Sequence, residues 1–364
     1  MDREIAYVAL NLLPGIGPVK VRQLLERFGT APAILEAKSA QLSEVLRQDL
    51  ANTVRNWRDE IDLDAEIGKI EAKGLNIIDW EHDLYPAQLR EIHAPPVVLY
   101  VWGNLTPADQ HALAVVGTRR MTHYGRESTK KITFQLAHAG YTIVSGLAAG
   151  IDTIAHESAL AANGRTIAVL GSGFARLYPP ENQKLAQKIA ENGAVISQFP
   201  FDITTDPRLF PIRNQTVSGM SYGVIVIEGN IKSGSMITAK AAVEHNRVVF
   251  ALPGPIDRQT SGGPNSLIQD GAKLITCPAD VVQDLPLVMP VNATEPEPTD
   301  LNEENLSPED LKVYQALSDA PATIDHLAAA TGLASPRLSA TLLRLEMQGF
   351  ARQLPGMAFV KVEK

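Results

Sequence analysis

From about residue 110 to 283 the chain alternates between short apolar runs and stretches with helical spacing. The runs are Ala112–Val116, Tyr141–Val144, Thr166–Leu170, Ala194–Ile196, Tyr222–Ile227 and Val248–Leu252. Each is continuously apolar instead of alternating, the mark of a strand buried on both faces in a parallel sheet. Nearly every run ends in Gly, Ser or Pro before helix-period sequence resumes. The pattern predicts a doubly wound α/β unit, an extended Rossmann-like parallel sheet, with ligands at the C-terminal ends of its strands. Residues 1–80 read as mainly helical. Residues 307–364 read as three helices and a hairpin, Phe350–Val360, turned by Pro355–Gly356, an order that suggests a winged helix-turn-helix. Residues 284–310 are rich in acids, Pro and Asn and lack an amphipathic period, so they read as a flexible linker. The expected organisation is a helical domain 1–80, a Rossmann-like domain 81–283, a linker 284–306 and a winged helix 307–364.

Composition narrows the setting. The 364 residues are 45% hydrophobic and 20% charged, as in ordinary globular proteins. A single cysteine, Cys277, excludes a disulfide framework and fits a reducing cytoplasm. No run of 18 apolar residues suggests a membrane span. The first residues carry acids where a secretory signal would carry positive charge, so a cytoplasmic protein is expected. The net charge of −8 first argues against a nucleic-acid partner. Its distribution weakens that argument: residues 284–310 hold eight acids and no Lys or Arg, while 105–283 carry 16 basic against 13 acidic groups. A DNA site in the large middle segment is therefore permitted.

Candidate chemistry collects at the strand ends. One run leads into Gly117, Thr118, Arg119 and Arg120, and the next into Ser145, Gly146 and on to Gly150. A third leads into Gly171, Ser172 and Gly173, and a fourth precedes Ser233, Gly234 and Ser235 at a helix start. Glycine lets backbone N–H groups approach an anion, hydroxyls donate to its oxygens, and helix N-termini add positive potential. One such turn is weak evidence, but four along one sheet edge predict a multi-point phosphate site. A dinucleotide fits poorly, because Gly171–Arg176 lacks the third glycine of GxGxxG and no acid closes a following strand. No GxxxxGK[ST] occurs either. Arg119 stands where its guanidinium can fork onto a phosphate or simply pair with a surface acid. Pro207–Pro211 reads as a rigid loop delivering Arg213 and Asn214 at a helix start, as phosphate ligands or as a solvated Arg and a cap. Lys184 is a further candidate contact. Asp152 and His156, at i and i+4, suggest either an acid–base pair or a capping Asp beside a packed His. No third metal ligand, GxSxG or zinc spacing accompanies them, so no metal, cofactor or catalytic group is expected.

The motifs together resemble those of the DprA (Smf) DNA-processing family. The resemblance rests on Val115-Val-Gly-Thr-Arg119, Ser145-Gly-Leu-Ala-Ala-Gly-Ile-Asp152-Thr-Ile-Ala-His156, Ile167–Gly173 with Tyr178-Pro, Phe210-Pro-Ile-Arg213-Asn214, Ser233–Ala239 and Phe250-Ala-Leu-Pro-Gly254. They follow the family's order over residues 80–280. The resemblance implies a non-enzymatic protein that binds single-stranded DNA and forms a homodimer. It further implies protection of incoming DNA and loading of the RecA recombinase during natural transformation. It assigns phosphate contacts to Gly117, Thr118, Arg119, Ser145, Gly146, Arg213 and Asn214. Four positions depart from the family's usual residues. Thr118 stands for Ser and Gln215 for Arg, an acid is missing near Ala175 or Arg176, and Gln198 replaces Glu.

The flanking segments add two weaker readings. Leu12–Lys20 resembles a helix-hairpin-helix, either a phosphate-binding turn or a structural hairpin. In the winged helix, Ser335–Gln348 takes the recognition position, with Leu338, Leu342, Leu343 and Leu345 facing inward or toward a partner. That content favours protein contact or weak duplex contact over base reading. Two rivals to the leading reading remain. A nucleotide hydrolase of related fold requires a PGGxGT segment, where this chain has Glu228–Ser235. A sequence-specific regulator leaves the phosphate-lined core without a role.

Overall fold

The computed structural model describes residues 1–285, 306–318, 320, 322–347, 350–354 and 358–361. The acidic linker, apart from its ends, and the Pro355–Gly356 turn lie outside the described residues. Among the described residues no helix is long and apolar enough to cross a membrane.

The first segment is helical for local reasons. Helix α1 (Arg3–Leu12) leads through a tight turn to α2 (Pro18–Phe28), which has Pro18 at its first position and stops at Gly29, whose φ is +82°. A later helix, Leu63–Lys73, is capped by the Asp62 carboxylate, which accepts from Ala65 N, and ends on left-handed Gly74. In the hairpin turn Ile16 is buried, Pro14 and Gly15 are exposed, and Lys20 Nζ donates to the Gly15 carbonyl at 2.6 Å. Strand β1 (Asn76–Asp79) begins within the stretch that reads as helical and pairs antiparallel with β2 (Val98–Gly103). One apolar cluster runs from Tyr7, Leu10 and Leu24 through Trp80 and Leu89 to Val116 and Val226 under the sheet.

The six apolar runs are strands β3 (Ala112–Val116), β4 (Thr142–Ser145), β5 (Thr166–Val169), β6 (Ala194–Ser197), β7 (Gly223–Val226) and β8 (Val248–Ala251). With a short β9 (Lys273–Leu274) they form one nine-stranded sheet in the order β1-β2-β6-β5-β4-β3-β7-β8-β9. Pairings from β6 through β9 are parallel, while β1 with β2 and β2 with β6 are antiparallel. Every residue of β3 to β7 is buried, as continuous apolar runs require. Helices α3 (His123–His138), α4 (Ile151–Ala161), α5 (Gln183–Asn192), α6 (Leu209–Gly219) and α7 (Gly234–Glu244) cover the two faces. The chain starts the parallel sheet at β3, winds out to β6, and returns to lay β7 on the other side of β3. Beyond the C-terminal ends of β3 and β7 the neighbouring connections diverge and open a crevice.

The C-terminal unit comprises α8 (Pro308–Ala316), β10 (Ala322–Thr323), α9 (Ile324–Thr331), α10 (Ser335–Met347), β11 (Ala351–Leu354) and β12 (Ala358–Lys361). Its small sheet runs β10-β12-β11, and Val313, Leu327, Leu338, Leu342 and Phe359 form its own core. This is the winged helix expected from the element order.

Candidate nucleic-acid interface

A cleft of about 390 Å³ opens in that crevice. Its walls include Gly117, Thr118, Arg119, Arg120, Gly146, Arg213, Asn214, Gly234 and Ser235. A smaller recess adjoins it, shares Arg119, Gly146 and Arg213, and adds Gly171, Ser172 and Tyr178. The fold thus gathers residues from all four strand-end turns, together with Arg213 and Asn214, around one opening.

Backbone geometry decides what each turn can offer. Thr118 is pinned, because its N–H donates to Glu228 O at 2.7 Å and its carbonyl accepts from Ile151 N at 3.2 Å. Its hydroxyl accepts from Arg120 N at 3.1 Å. At the second turn the Asp152 carboxylate accepts from Gly146 N at 3.1 Å and Ala148 N at 3.4 Å. Those two donors are therefore committed inside the protein. Helix α7 differs. Its first N–H groups, on Gly234 and Ser235, have no acceptor among the described residues, and both residues line the cleft. A Cβ at Gly234 would meet nothing within 4 Å, so this end of the cleft has free space beside a helix N-terminus.

Arg119 is exposed at the cleft mouth, with its guanidinium 5.5 Å from the centre of the Phe210 ring. Among the described residues no carboxylate pairs with it. Tyr178, 44% exposed, lies at a tilt to Phe210 with ring centres 6.3 Å apart. Sequence reasoning missed this aromatic pair. The available signal was an aromatic in each of two proline-containing segments, Tyr178-Pro-Pro and Phe210-Pro, next to candidate phosphate contacts. Half-exposed rings beside a cation are surfaces on which nucleobases stack.

Several candidates occupy different places from those expected. Pro207 and Pro211 do not bracket a loop: α6 starts at Leu209, and Pro211 sits in its first turn, where no earlier carbonyl awaits its missing N–H. Arg213 is consequently the fifth helical residue and is buried. Its Nη1 donates to Val169 O at 2.7 Å and to Gly146 O, and its Nε donates to Asn214 Oδ1 at 3.0 Å. Asn214 in turn donates from Nδ2 to Gly234 O at 3.3 Å. The pair ties the ends of β4 and β5 to α6 and α7, which holds the cleft open in one shape. Burial lowers the Arg213 pKa, with Asp152 opposing that shift and Arg119 adding to it. Ser145 is fully buried and its hydroxyl donates to Val115 O at 2.7 Å, joining two strands. Gly173 turns away from the cleft, and a Cβ there would lie 2.1 Å from Pro200 O. Lys184 is exposed on α5 and lines neither recess.

The candidate acid–base groups are tied up elsewhere. Burial raises the Asp152 pKa, while Arg213 and the two N–H donors oppose the shift. His156 is fully buried with Nδ1 2.7 Å from Thr166 Oγ1, and burial pulls its pKa down to about 3. Glu228 accepts from Thr122 N at 2.8 Å and from Thr122 Oγ1 at 2.6 Å, anchoring the start of α3.

Gln215 is the seventh residue of α6, half-buried, and lines neither recess. A cation there is beyond the first turn, where helix-dipole repulsion acts. Gln215→Arg is expected to leave the salt dependence of DNA binding unchanged. A log–log salt slope steeper by about 0.7 would place the new guanidinium on a phosphate and reverse this reading.

Comparison with known proteins agrees with this fold. Residues 76–286 match the family model of DNA recombination-mediator protein A, and residues 296–357 match that of the DprA winged helix domain. Protein Smf of Synechocystis is 34% identical over 98% of this chain and 99% of its own length. DNA processing protein A from Streptococcus pneumoniae, solved by X-ray methods, superposes with a TM-score of 0.68 at 34% identity, over 77% of this chain and 98% of that one. The structure of DNA processing protein A from Helicobacter pylori, described for its single-stranded DNA binding mode, gives a TM-score of 0.52 at 32% identity, over 58% and 96%.

Proposed function

The chain belongs to the DNA recombination-mediator protein A family, and from that premise we propose that it grips single-stranded DNA in the cleft without turning it over. The observation that carries this reading is Arg119: an exposed guanidinium with no carboxylate partner among the described residues, set over Phe210 at the mouth of a cleft that also holds the N–H groups of Gly234 and Ser235, which the described residues leave without acceptors. Arg119 supplies a forked charge for one phosphate, and the start of α7 takes another. Phe210 and Tyr178 offer faces to unstacked bases, which a duplex keeps inside its stack. Catalysis has little support, since Asp152, His156 and Glu228 are each consumed by internal contacts. Delivery of the bound strand to RecA, pairing of two copies and action in the cytoplasm complete the proposal on the strength of family membership.

Fluorescence anisotropy with labelled single- and double-stranded oligonucleotides across a salt series tests it. Each phosphate contact contributes roughly −0.7 to the log–log slope on a single strand, so the two assigned to Arg119 and the start of α7 give a slope of about −1.4. Equal affinity for duplex, or a flat salt response, would remove the phosphate grip as the mechanism.

A further inference from the structure

Helix α10 of the winged helix is buried on two sides. Leu338, Leu342 and Leu345 pack into the unit's own core. Leu343, 7% exposed, packs instead with Ile132, Leu136 and Ala139 in the cluster of the α/β domain. Beside it, Arg344 Nη1 donates to His138 O at 3.1 Å, and His138 is the last residue of α3. A guanidinium at that position meets the negative end of the α3 dipole. The same guanidinium holds Asp310 of α8 through Nε at 3.1 Å and Nη2 at 2.5 Å, so the contact is braced from within the winged helix. Glu309 adds to the seam, accepting from Thr341 Oγ1 at 3.2 Å and standing 3.8 Å from His138 Nε2. A cavity of about 470 Å³ lies along the joint, lined by Lys131 and Gln135 of α3, by Cys277, and by Ser335 and Ser339 of α10.

A winged helix reads a major groove with the face of its recognition helix that points away from its own core. Here the C-terminal part of that face, with Leu343 and Arg344, lies against α3, while the first turn, Ser335 to Arg337, is exposed. An apolar residue there gains by burial against a protein and has no donor or acceptor to offer a base edge. We infer that α10 is a protein-docking helix, that its partner is α3 of the same chain, and that duplex reading is not the winged helix's task.

The single cysteine provides the readout, because Cys277 lines the cavity between the two units. Leu343→Glu buries an unpaired carboxylate at the joint while sparing the winged helix's own core. In the full-length variant Cys277 is expected to alkylate with iodoacetamide about tenfold faster than in the parent, as the docked state opens. The radius of gyration from X-ray scattering should rise with it. Duplex affinity should change by less than about twofold, since a helix making no phosphate contacts adds nothing to it. An unchanged alkylation rate in a folded Leu343→Glu protein overturns the docking. A loss of duplex affinity of about tenfold overturns the assignment in favour of groove reading. Where Leu343→Glu fails to fold, Gln135→Arg challenges the same joint from α3 without touching the winged helix, and the same readouts decide.

Discussion

Arg119→Ala should weaken single-strand binding by about 1.5–3 kcal/mol, the scale of a charge-assisted hydrogen bond, which is a rise in Kd of roughly 10- to 150-fold. The side chain is exposed and, among the described residues, rests against the face of Phe210 alone, so its removal should leave the melting temperature unchanged. That separates a lost contact from a damaged fold. Arg119→Lys should restore only part of the affinity, because an ammonium cannot fork onto a phosphate or lie flat over the ring. Anisotropy titrations of the three proteins at one salt concentration suffice. An alanine variant that folds and binds like the parent would make Arg119 an ordinary surface residue and leave the cleft without its main anchor.

The parts of the fold that were legible in the sequence are those where burial acts directly on residue type. Strands β3 to β8 lie in the sheet's interior, so their sequences are apolar without alternation, and their bounds agree with the runs to within about one residue at each end. Strand β1 has the sequence Asn-Ile-Ile-Asp and follows a helix ended by Gly74; four residues with polar ends carry too little period to be told from a helix tail. Its identity depends on pairing with β2, whose partner residues lie 19 to 25 positions further along the chain.

The site was legible at the level of position and less so at the level of role. Gly–Ser turns after strands mark the sheet edge, and most of them do border the cleft. Local sequence does not encode which way a turn faces. Gly171 and Ser172 reach the recess while Gly173, one residue on, donates its N–H to Ile203 O at 2.7 Å and faces inward. The same limit applies to charge. Arg213 and Arg119 look alike as candidate phosphate ligands, yet one is buried among carbonyls and the other is exposed over Phe210 at the cleft mouth. Burial of a cation follows from where α6 crosses the ends of β4 and β5, which no window of sequence around Arg213 contains.

That difference predicts opposite signatures for the two arginines. Arg213→Ala should cost about 3–5 kcal/mol of stability, because it leaves the Asp152 carboxylate buried without its counter-charge and strips the carbonyls of Gly146 and Val169 of a donor. The pH dependence gives the mechanism away. Burial already holds the Asp152 pKa above its unfolded value, and without Arg213 it must rise further. A group whose folded pKa is raised favours the fold when protonated, and that advantage is lost as pH rises through the folded pKa. The deficit of Arg213→Ala relative to the parent should therefore narrow as pH falls from neutrality toward the carboxylate range. Pairing it with Asp152→Asn should recover part of the loss at neutral pH, because no uncompensated charge then remains buried. Thermal melts of the parent, both single variants and the double variant over that pH range provide the check. If Arg213→Ala melts like the parent and loses DNA binding alone, Arg213 serves the strand directly, and the cleft must take its shape from other contacts.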